Sequence, residues 1–170
     1  MKSIVVDNFF QNFNNIEKEF KKIKLYSLED YQKLNDYENK WPGKRSKPLE
    51  EENPFLYNLF GLEMMRCFGK ILGNKRIEVT LCLHLRLAKD NDKDWIHVDE
   101  KEKYNLIVYL NDNLESGTNI YENYSDEPSI SIRSIKNRAV LFDAKSRHGS
   151  IKNYGNDIKD GRLTLNAFIK

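Results

Sequence analysis

Hydrophobic and polar positions follow two different periods along the 170-residue chain. Up to residue 75, apolar residues recur every three or four positions, which is the period of helices with one buried face. From residue 76 onward, apolar and polar residues alternate, which is the period of strands with one buried face. The pattern predicts a single α+β domain over 1–170, mainly β, with a helical N-terminal support (1–75) and a strand-rich core (76–170).

The N-terminal part contains two amphipathic helical segments, after a short strand-like run at 4–6. The first helical segment, 9–23, has an apolar face made by Phe9, Phe13, Ile16, Phe20 and Ile23. A polar stretch at 36–53, punctuated by two prolines and a glycine, predicts a loop. Pro54 suits the first turn of the second helix, and Gly73-Asn74 suits its end. The apolar face of this helix is assigned to Phe55, Leu59, Leu62, Met65 and Ile71.

Strand-like segments follow one another from residue 77. Apolar residues occupy every second position from Ile77 to Leu87, which is typical of a strand with one buried face. Further short strands are predicted at 95–98, 104–110, 118–121, 130–132, 139–142 and 163–169. Many short strands separated by turn signals favour a double-stranded β-helix, or jelly roll, with the N-terminal helices packed on one sheet.

Composition narrows the class of protein. The 28 Lys and Arg residues nearly balance the 26 Asp and Glu residues, so there is no clear nucleic-acid signal. No apolar run approaches the roughly 20 residues that span a bilayer, and the first ten residues lack the features of a signal peptide. We therefore expect a cytoplasmic protein that does not associate with membranes. Cys67 and Cys82 have apolar neighbours and no CxxC spacing, which predicts reduced, buried thiols.

Three residues of the strand-rich core are candidates for a metal site. His97 and Asp99 lie two positions apart at the end of a predicted strand, so their side chains project to one face. His148 is a candidate third ligand. Two histidines and one carboxylate leave coordination positions open, an arrangement favoured by non-haem iron(II) oxygenases. A core or surface role remains the alternative for each residue. His84, the third histidine, is expected to be a core, surface or outer-wall residue.

A candidate anion site lies in the last predicted strand. Arg162 shares one face of that strand with Thr164, Asn166 and Phe168. An inward-facing arginine is costly unless it meets an anion, and a dicarboxylate such as 2-oxoglutarate can supply one in bidentate geometry. Thr164 can add a hydroxyl to such a site. The alternative is a surface arginine paired with Asp160 or with water.

Several short motifs occur in an order that resembles a known family. They are His97-Val98-Asp99, the segment YNLIVYLN at 104–111, Gly117-Thr118, the segment NRAVLF at 137–142, His148 and Arg162-Leu163-Thr164. In this order they resemble the prolyl-hydroxylase-like branch of the 2-oxoglutarate/iron(II)-dependent dioxygenases. The resemblance covers roughly 77–170. The segment from Trp41 to Ser46 also resembles a loop in some uncharacterised bacterial and phage-type members.

The resemblance implies a jelly-roll enzyme with iron(II), 2-oxoglutarate as co-substrate and dioxygen. His97, Asp99 and His148 would bind the metal. Arg162 would bind the distal carboxylate of 2-oxoglutarate with help from Thr164, and Tyr109 would contact the same carboxylate. Asn105 shares the face of Tyr109 and would line the pocket. Because Asp99 is retained, the resemblance implies hydroxylation over halogenation.

Two other functions stay open at this stage. One is a non-catalytic jelly-roll module that binds a metal or ligand, and the other is a cupin-type metalloenzyme that does not use 2-oxoglutarate. The substrate, a small molecule or a peptide, is not identified, and neither is the oligomeric state. Aromatic residues are candidates for the entrance of a pocket: Trp41, Trp95, Tyr121 and Tyr124.

Overall fold

A computed structural model describes residues 3–34, 41–73, 76–93, 95–122 and 125–170. Tyr124, a candidate for the entrance of the pocket, and Asn74, expected at a helix end, lie outside these ranges. Within them, no helix has the length and apolar character needed to cross a bilayer.

The described part of the N-terminal region contains four α-helices: α1 (Phe13–Phe20), α2 (Leu28–Leu34), α3 (Leu49–Glu52) and α4 (Pro54–Leu72). In α4, Pro54 occupies the first turn and the side chain of Asn53 accepts a hydrogen bond from the backbone N–H of Leu56. The helix ends at Gly73, whose φ of 78° favours glycine. Both predicted ends of this helix are confirmed at the residues described.

The described residues contain ten strands, which form two antiparallel sheets. They are β1 (Ile4–Val6), β2 (Tyr26–Ser27), β3 (Lys44–Arg45), β4 (Val79–Arg86), β5 (Tyr104–Tyr109), β6 (Asn113–Tyr121), β7 (Ile130–Ser134), β8 (Ala139–Asp143), β9 (Arg147–Ser150) and β10 (Arg162–Ile169). The larger sheet has the order β1-β8-β5-β10-β4-β3-β2, and the smaller has the order β7-β6-β9. Two sheets facing each other with few helices make the jelly roll that the sequence predicted.

The larger sheet has one apolar face and one polar face. Leu81, Leu83 and Leu85 of β4 are buried together with alternate residues of β10 against the helices. Packing of the N-terminal helices on one sheet is therefore confirmed. The opposite face meets the smaller sheet through an apolar cluster of Ile107, Tyr109, Ile120, Ile132, Val140 and Phe142. Outside this cluster, the opposite face carries the polar residues of β4 and β10 and forms one wall of a cavity.

The structure corrects the predicted face of α4. Phe55 and Leu62 are 63% and 72% exposed, and Met65 is also exposed. The buried face is instead Leu56, Phe60, Glu63, Met64, Phe68 and Leu72. Both faces of this helix carry apolar residues at helical spacing, so the period alone does not identify the one that packs on the sheet.

Other segments also differ from the prediction. The strand expected at 95–98 is reduced to a single bridge between His97 and His148. The loop expected at 36–53 contains β3 and α3 in its described part. Since β1, β2 and β3 join the larger sheet, the division at residue 75 does not separate helices from strands. The pairs β1–β8 and β3–β4 and the bridge between His97 and His148 join residues far apart in the sequence, so no local pattern predicts them.

Candidate metal centre and active site

His97, Asp99 and His148 are brought together at one end of the cavity. Each offers one ligand atom, and the three atoms lie within 4.8 Å of one another. The backbones of His97 and His148 exchange two hydrogen bonds, of 2.9 and 2.8 Å, and the N–H of Asp99 donates to the carbonyl of Ala144. The backbone pairing therefore fixes both histidines next to each other, although they are 51 positions apart in the sequence.

Both imidazole rings are oriented so that Nε2 is free to bind a metal. Nδ1 of His97 lies 3.1 Å from the carbonyl oxygen of Trp95, and Nδ1 of His148 lies 2.9 Å from that of Ser146. A carbonyl only accepts, so Nδ1 carries the proton in each ring and Nε2 keeps its lone pair. Burial, and then the neighbouring His97, lower the pKa of His148 to about 4, which keeps this ring neutral.

Asp99 is oriented by an amide. Nδ2 of Asn105, on β5, donates to Oδ2 of Asp99 at 2.6 Å. The same oxygen lies 3.5 Å from Nε2 of His148. Asn105 lines the cavity as expected, and its contact is with the carboxylate ligand. A hydrogen bond of this kind fixes the direction of a metal-binding carboxylate.

Arg162 is a buried cation inside the cavity. Its side chain is 4% exposed, and its terminal nitrogen Nη2 makes only long hydrogen bonds, of 3.3 Å to the carbonyl of Gly117 and 3.4 Å to Oγ1 of Thr118. Its Nε is buried and has no hydrogen-bond partner among the described residues. A buried donor without a partner is unfavourable, so this guanidinium is suited to an anion.

Tyr109 and Thr118 support Arg162 from behind. The hydroxyl of Tyr109 donates to Oγ1 of Thr118 at 2.7 Å, and the guanidinium carbon of Arg162 lies 5.8 Å from the Tyr109 ring centroid. Burial raises the pKa of Tyr109, so its hydroxyl stays protonated. Tyr109 does not line the cavity, whereas Thr118 does. Thr118 is thus part of the cavity wall beside Arg162, whereas Tyr109 lies outside the wall and contacts both residues.

Thr164, Asn166 and His84 form a hydrogen-bonded chain across the sheet. The hydroxyl of Thr164 donates to Asn166, whose amide lies 3.4 Å from Nδ1 of His84. Nε2 of His84 donates to the carbonyl of Pro42 at 2.8 Å. Thr164 is fully buried and does not line the cavity. His84 is fully buried outside the metal cluster and holds the Trp41–Ser46 segment on the sheet.

The residues fit both a metal ion and a dicarboxylate. Two imidazoles and a carboxylate are the donor set of non-haem iron(II) sites, and their three ligand atoms lie within 4.8 Å of one another. A metal ion with bonds of about 2.1 Å would hold neighbouring ligand atoms about 3 Å apart, so the three side chains would close around it. The cavity has a volume of about 660 Å³, enough for a small co-substrate and a substrate. The unpartnered Nε of Arg162 supplies the expected contact for a carboxylate.

Comparison with solved structures identifies the fold class. A 2OG-Fe(II) oxygenase family oxidoreductase from Burkholderia pseudomallei aligns over 99% of this chain and 84% of its own, at 11% identity and a TM-score of 0.69. HygX from Streptomyces hygroscopicus, with nickel and 2-oxoglutarate bound, aligns over 98% and 82% (10% identity, TM-score 0.60). A prolyl 4-hydroxylase structure from Phytophthora capsici aligns over 99% and 58% (16% identity, TM-score 0.66).

These likenesses establish that the chain has the fold of the 2-oxoglutarate/iron(II) oxygenases, as the sequence predicted. No protein-family model and no curated protein matches the sequence. At these identities the comparison concerns the fold, and the chemistry of this chain is argued from its own side chains.

Two arginines of the cavity wall, Arg86 and Arg45, were not predicted from the sequence. Of the aromatic candidates for the entrance, Trp41 and Trp95 line the cavity, whereas Tyr121 does not. The signal for Arg86 was present, because it alternates with the buried leucines of β4 and so faces away from the core. For Arg45 the local sequence is typical of a polar loop, and only the pairing of β3 with β4 brings it to the site.

Proposed function

We propose that the protein is an iron(II)- and 2-oxoglutarate-dependent dioxygenase that hydroxylates its substrate. The observation that carries the proposal is the coexistence, in one cavity, of the His97, Asp99 and His148 ligand atoms and the buried, unpartnered Nε of Arg162. A structural metal site alone would leave the buried arginine without a purpose. An anion site alone would leave three converging ligand atoms unexplained.

Each residue of the site has a role in this proposal. His97, Asp99 and His148 bind the metal on one side, which leaves positions open on the other. Asn105 orients the carboxylate of Asp99 through its 2.6 Å hydrogen bond. Arg162 binds the distal carboxylate of 2-oxoglutarate through its fork of N–H groups, with Thr118 beside it. Tyr109 holds Thr118 in place.

The reaction balances as one substrate C–H, one 2-oxoglutarate and one dioxygen giving the C–OH product, succinate and carbon dioxide. One oxygen atom enters succinate and the other enters the substrate. The iron supplies the activation of dioxygen, while the protein supplies binding and orientation. Phe142, whose ring centroid lies 4.9 Å from that of His148, packs an apolar surface against the metal end of the cavity. A cytoplasmic location is part of the proposal and rests on the sequence alone.

Two measurements test the proposal. Anaerobic addition of iron(II) and 2-oxoglutarate should produce a weak visible charge-transfer band, and admission of oxygen should produce succinate. A protein that gives neither signal would be the non-catalytic binding module. If succinate is formed and Arg162→Ala leaves activity and 2-oxoglutarate affinity intact, the arginine assignment is wrong. If the variant and the parent both act without 2-oxoglutarate, the protein is a cupin-type enzyme.

A further inference from the structure

Two more arginines, Arg45 and Arg86, line the same cavity and have no role in the proposed function. Arg86 on β4 is the cross-strand partner of Arg162 on β10, so both side chains lie on the polar face of the larger sheet. Arg45 on β3 is the partner of His84, two positions before Arg86 on the same face. Three arginines are therefore neighbours on one wall.

The guanidinium of Arg45 lies over two aromatic rings. Its guanidinium carbon lies 4.7 Å from the ring centroid of Trp41 and 5.5 Å from that of Phe168. Its Nε is buried and has no hydrogen-bond partner among the described residues. Stacking occupies the faces of a guanidinium and leaves its N–H edge available for an acceptor in the same plane. The side chain is thus preorganised for an oxyanion.

Arg45 and the metal ligands are joined by a short path across the sheet. Phe168, which contacts Arg45, is the cross-strand partner of Asn105, and Asn105 donates to Asp99. A small molecule bound at Arg45 can therefore lie across Phe168 with its other end at the metal.

The charges of the cavity favour an anion beyond 2-oxoglutarate. Two lysines and two glutamates lie at its rim, and their charges cancel: Lys101, Lys170, Glu100 and Glu102. Among the described interior residues, Arg45 and Arg162 already outnumber the single carboxylate of Asp99, which leaves an excess of positive charge. An iron(II) ion and the 2-oxoglutarate dianion cancel each other, so the excess remains. Burial, then Arg45, Arg86 and Arg162, lower the pKa of His84, so this ring adds no charge.

We propose that the primary substrate is a small molecule with an oxyanion group, a carboxylate or a phosphate, which Arg45 and Arg86 bind inside the cavity. The inference rests on the proposed function for the reaction, because it assigns the substrate of that same site. The oxyanion lies at the Trp41–Arg45 end, the body of the substrate crosses Phe168, and the C–H to be hydroxylated faces His97, Asp99 and His148.

The test uses two anion probes, inorganic phosphate and propanoate, and needs no turnover. The full chain is loaded with zinc, which is redox-inert, and saturated with 2-oxoglutarate so that Arg162 is occupied. Each probe is titrated by calorimetry and by tryptophan fluorescence, since Trp41 contacts Arg45. Binding of either probe supports the proposal, and the one that binds tighter identifies the group as phosphate or carboxylate.

Three variants make the test specific. Arg45→Gln and Arg86→Gln should each weaken the probe roughly ten-fold or more, which is about one lost charge-assisted contact, and leave 2-oxoglutarate affinity within about two-fold. Lys44→Gln is the matched control, because Lys44 is exposed and next to Arg45 in the sequence. It removes one positive charge and should leave probe binding unchanged. If Arg45→Gln does not fold, Arg86→Gln and Arg45→Lys take its place.

The outcomes separate this inference from the proposed function. If 2-oxoglutarate binds but neither probe does, or if Arg45→Gln weakens 2-oxoglutarate as much as the probe, the inference is wrong and the proposed function stands. If 2-oxoglutarate does not bind, the proposed function fails. The probes are then titrated into Arg162→Gln protein, and loss of binding on a further Arg45→Gln change still supports an oxyanion site at Arg45.

Discussion

Replacing Arg162 by methionine should have opposite effects on co-substrate binding and on stability. The change keeps an unbranched side chain, shortens it and removes its charge. In the free protein the guanidinium is 4% exposed, makes two hydrogen bonds of 3.3 and 3.4 Å, and has an unpartnered Nε. An arginine that served the fold would have short hydrogen bonds or a carboxylate partner. Arg162 has neither among the described residues.

The expected loss of affinity follows from the contacts that a carboxylate would make. Hydrogen bonds to charged groups contribute roughly 1.5–3 kcal/mol each, so losing a bidentate pair costs about 3–6 kcal/mol. Each 1.4 kcal/mol corresponds to about ten-fold in the dissociation constant, so 2-oxoglutarate should bind at least about 100-fold more weakly. By contrast, the free energy of unfolding of the metal-free protein should stay within about 1 kcal/mol or increase, because an incompletely paired buried charge is removed.

Calorimetry of 2-oxoglutarate with the zinc-loaded protein measures the first effect, and urea denaturation of the metal-free protein measures the second. Arg133→Met, at an exposed position of β7, is the matched control and should change neither affinity nor stability appreciably. Arg162→Lys keeps the charge but loses the bidentate pair of N–H groups. Its affinity for 2-oxoglutarate should therefore lie between those of the parent protein and Arg162→Met. An unchanged affinity, or a loss of stability above about 2 kcal/mol in Arg162→Met, would refute the reasoning.

Three further predictions test the rest of the site and the fold. Asn105→Ala should weaken zinc binding about 10–100-fold, as loss of an outer hydrogen bond does, and Asp99→Ala should weaken it more, both measured by competition with a chelator. Burial and then Arg45 lower the pKa of His84 in the folded protein well below 6.5. As the pH falls below 6.5, His84 therefore binds a proton in the unfolded state but stays neutral in the folded state. The free energy of unfolding should then fall by about 1.36 kcal/mol per pH unit, and urea denaturation should show this slope reduced in His84→Gln. Phe60 is buried and Leu62 is exposed, so Phe60→Ala should lower the free energy of unfolding by about 3–5 kcal/mol and Leu62→Ala by less than about 0.5 kcal/mol. Equal losses would mean that the exposed face of α4 is buried in solution.

The strand pattern was predictable wherever one face of a strand packs on helices. The alternation around Leu81, Leu83 and Leu85 identified β4 because each leucine meets the helical layer and each intervening side chain lies on the opposite face of the sheet. The pattern failed at 95–98, where the chain makes one bridge to His148 instead of a strand. His97 and Asp99 nevertheless converge, since two backbone hydrogen bonds and the contact of Asp99 with Ala144 hold them.

The candidate ligands were easier to predict than their supporting residues. His97, Asp99 and His148 stand out because histidines are few and the His-x-Asp spacing is short. The contact of Tyr109 with Thr118 depends on the facing of two different sheets, which no local period encodes. Local periodicity also fails to identify the buried face of α4. Two faces of this helix carry apolar residues, and only tertiary packing determines that the face with Phe60 is buried.

The polar face of the larger sheet is best understood as a surface completed by ligands. On β4 and β10 the leucines of one face satisfy the fold, while the opposite face holds Arg86 and Arg162 as cross-strand neighbours. Like charges directly opposite on a sheet repel each other, and Arg162 also keeps a buried Nε without a hydrogen-bond partner among the described residues. A third arginine, Arg45, lies beside them with an unpartnered Nε. Local rules are broken here together, on one wall of one cavity, which is where a binding function offsets their cost.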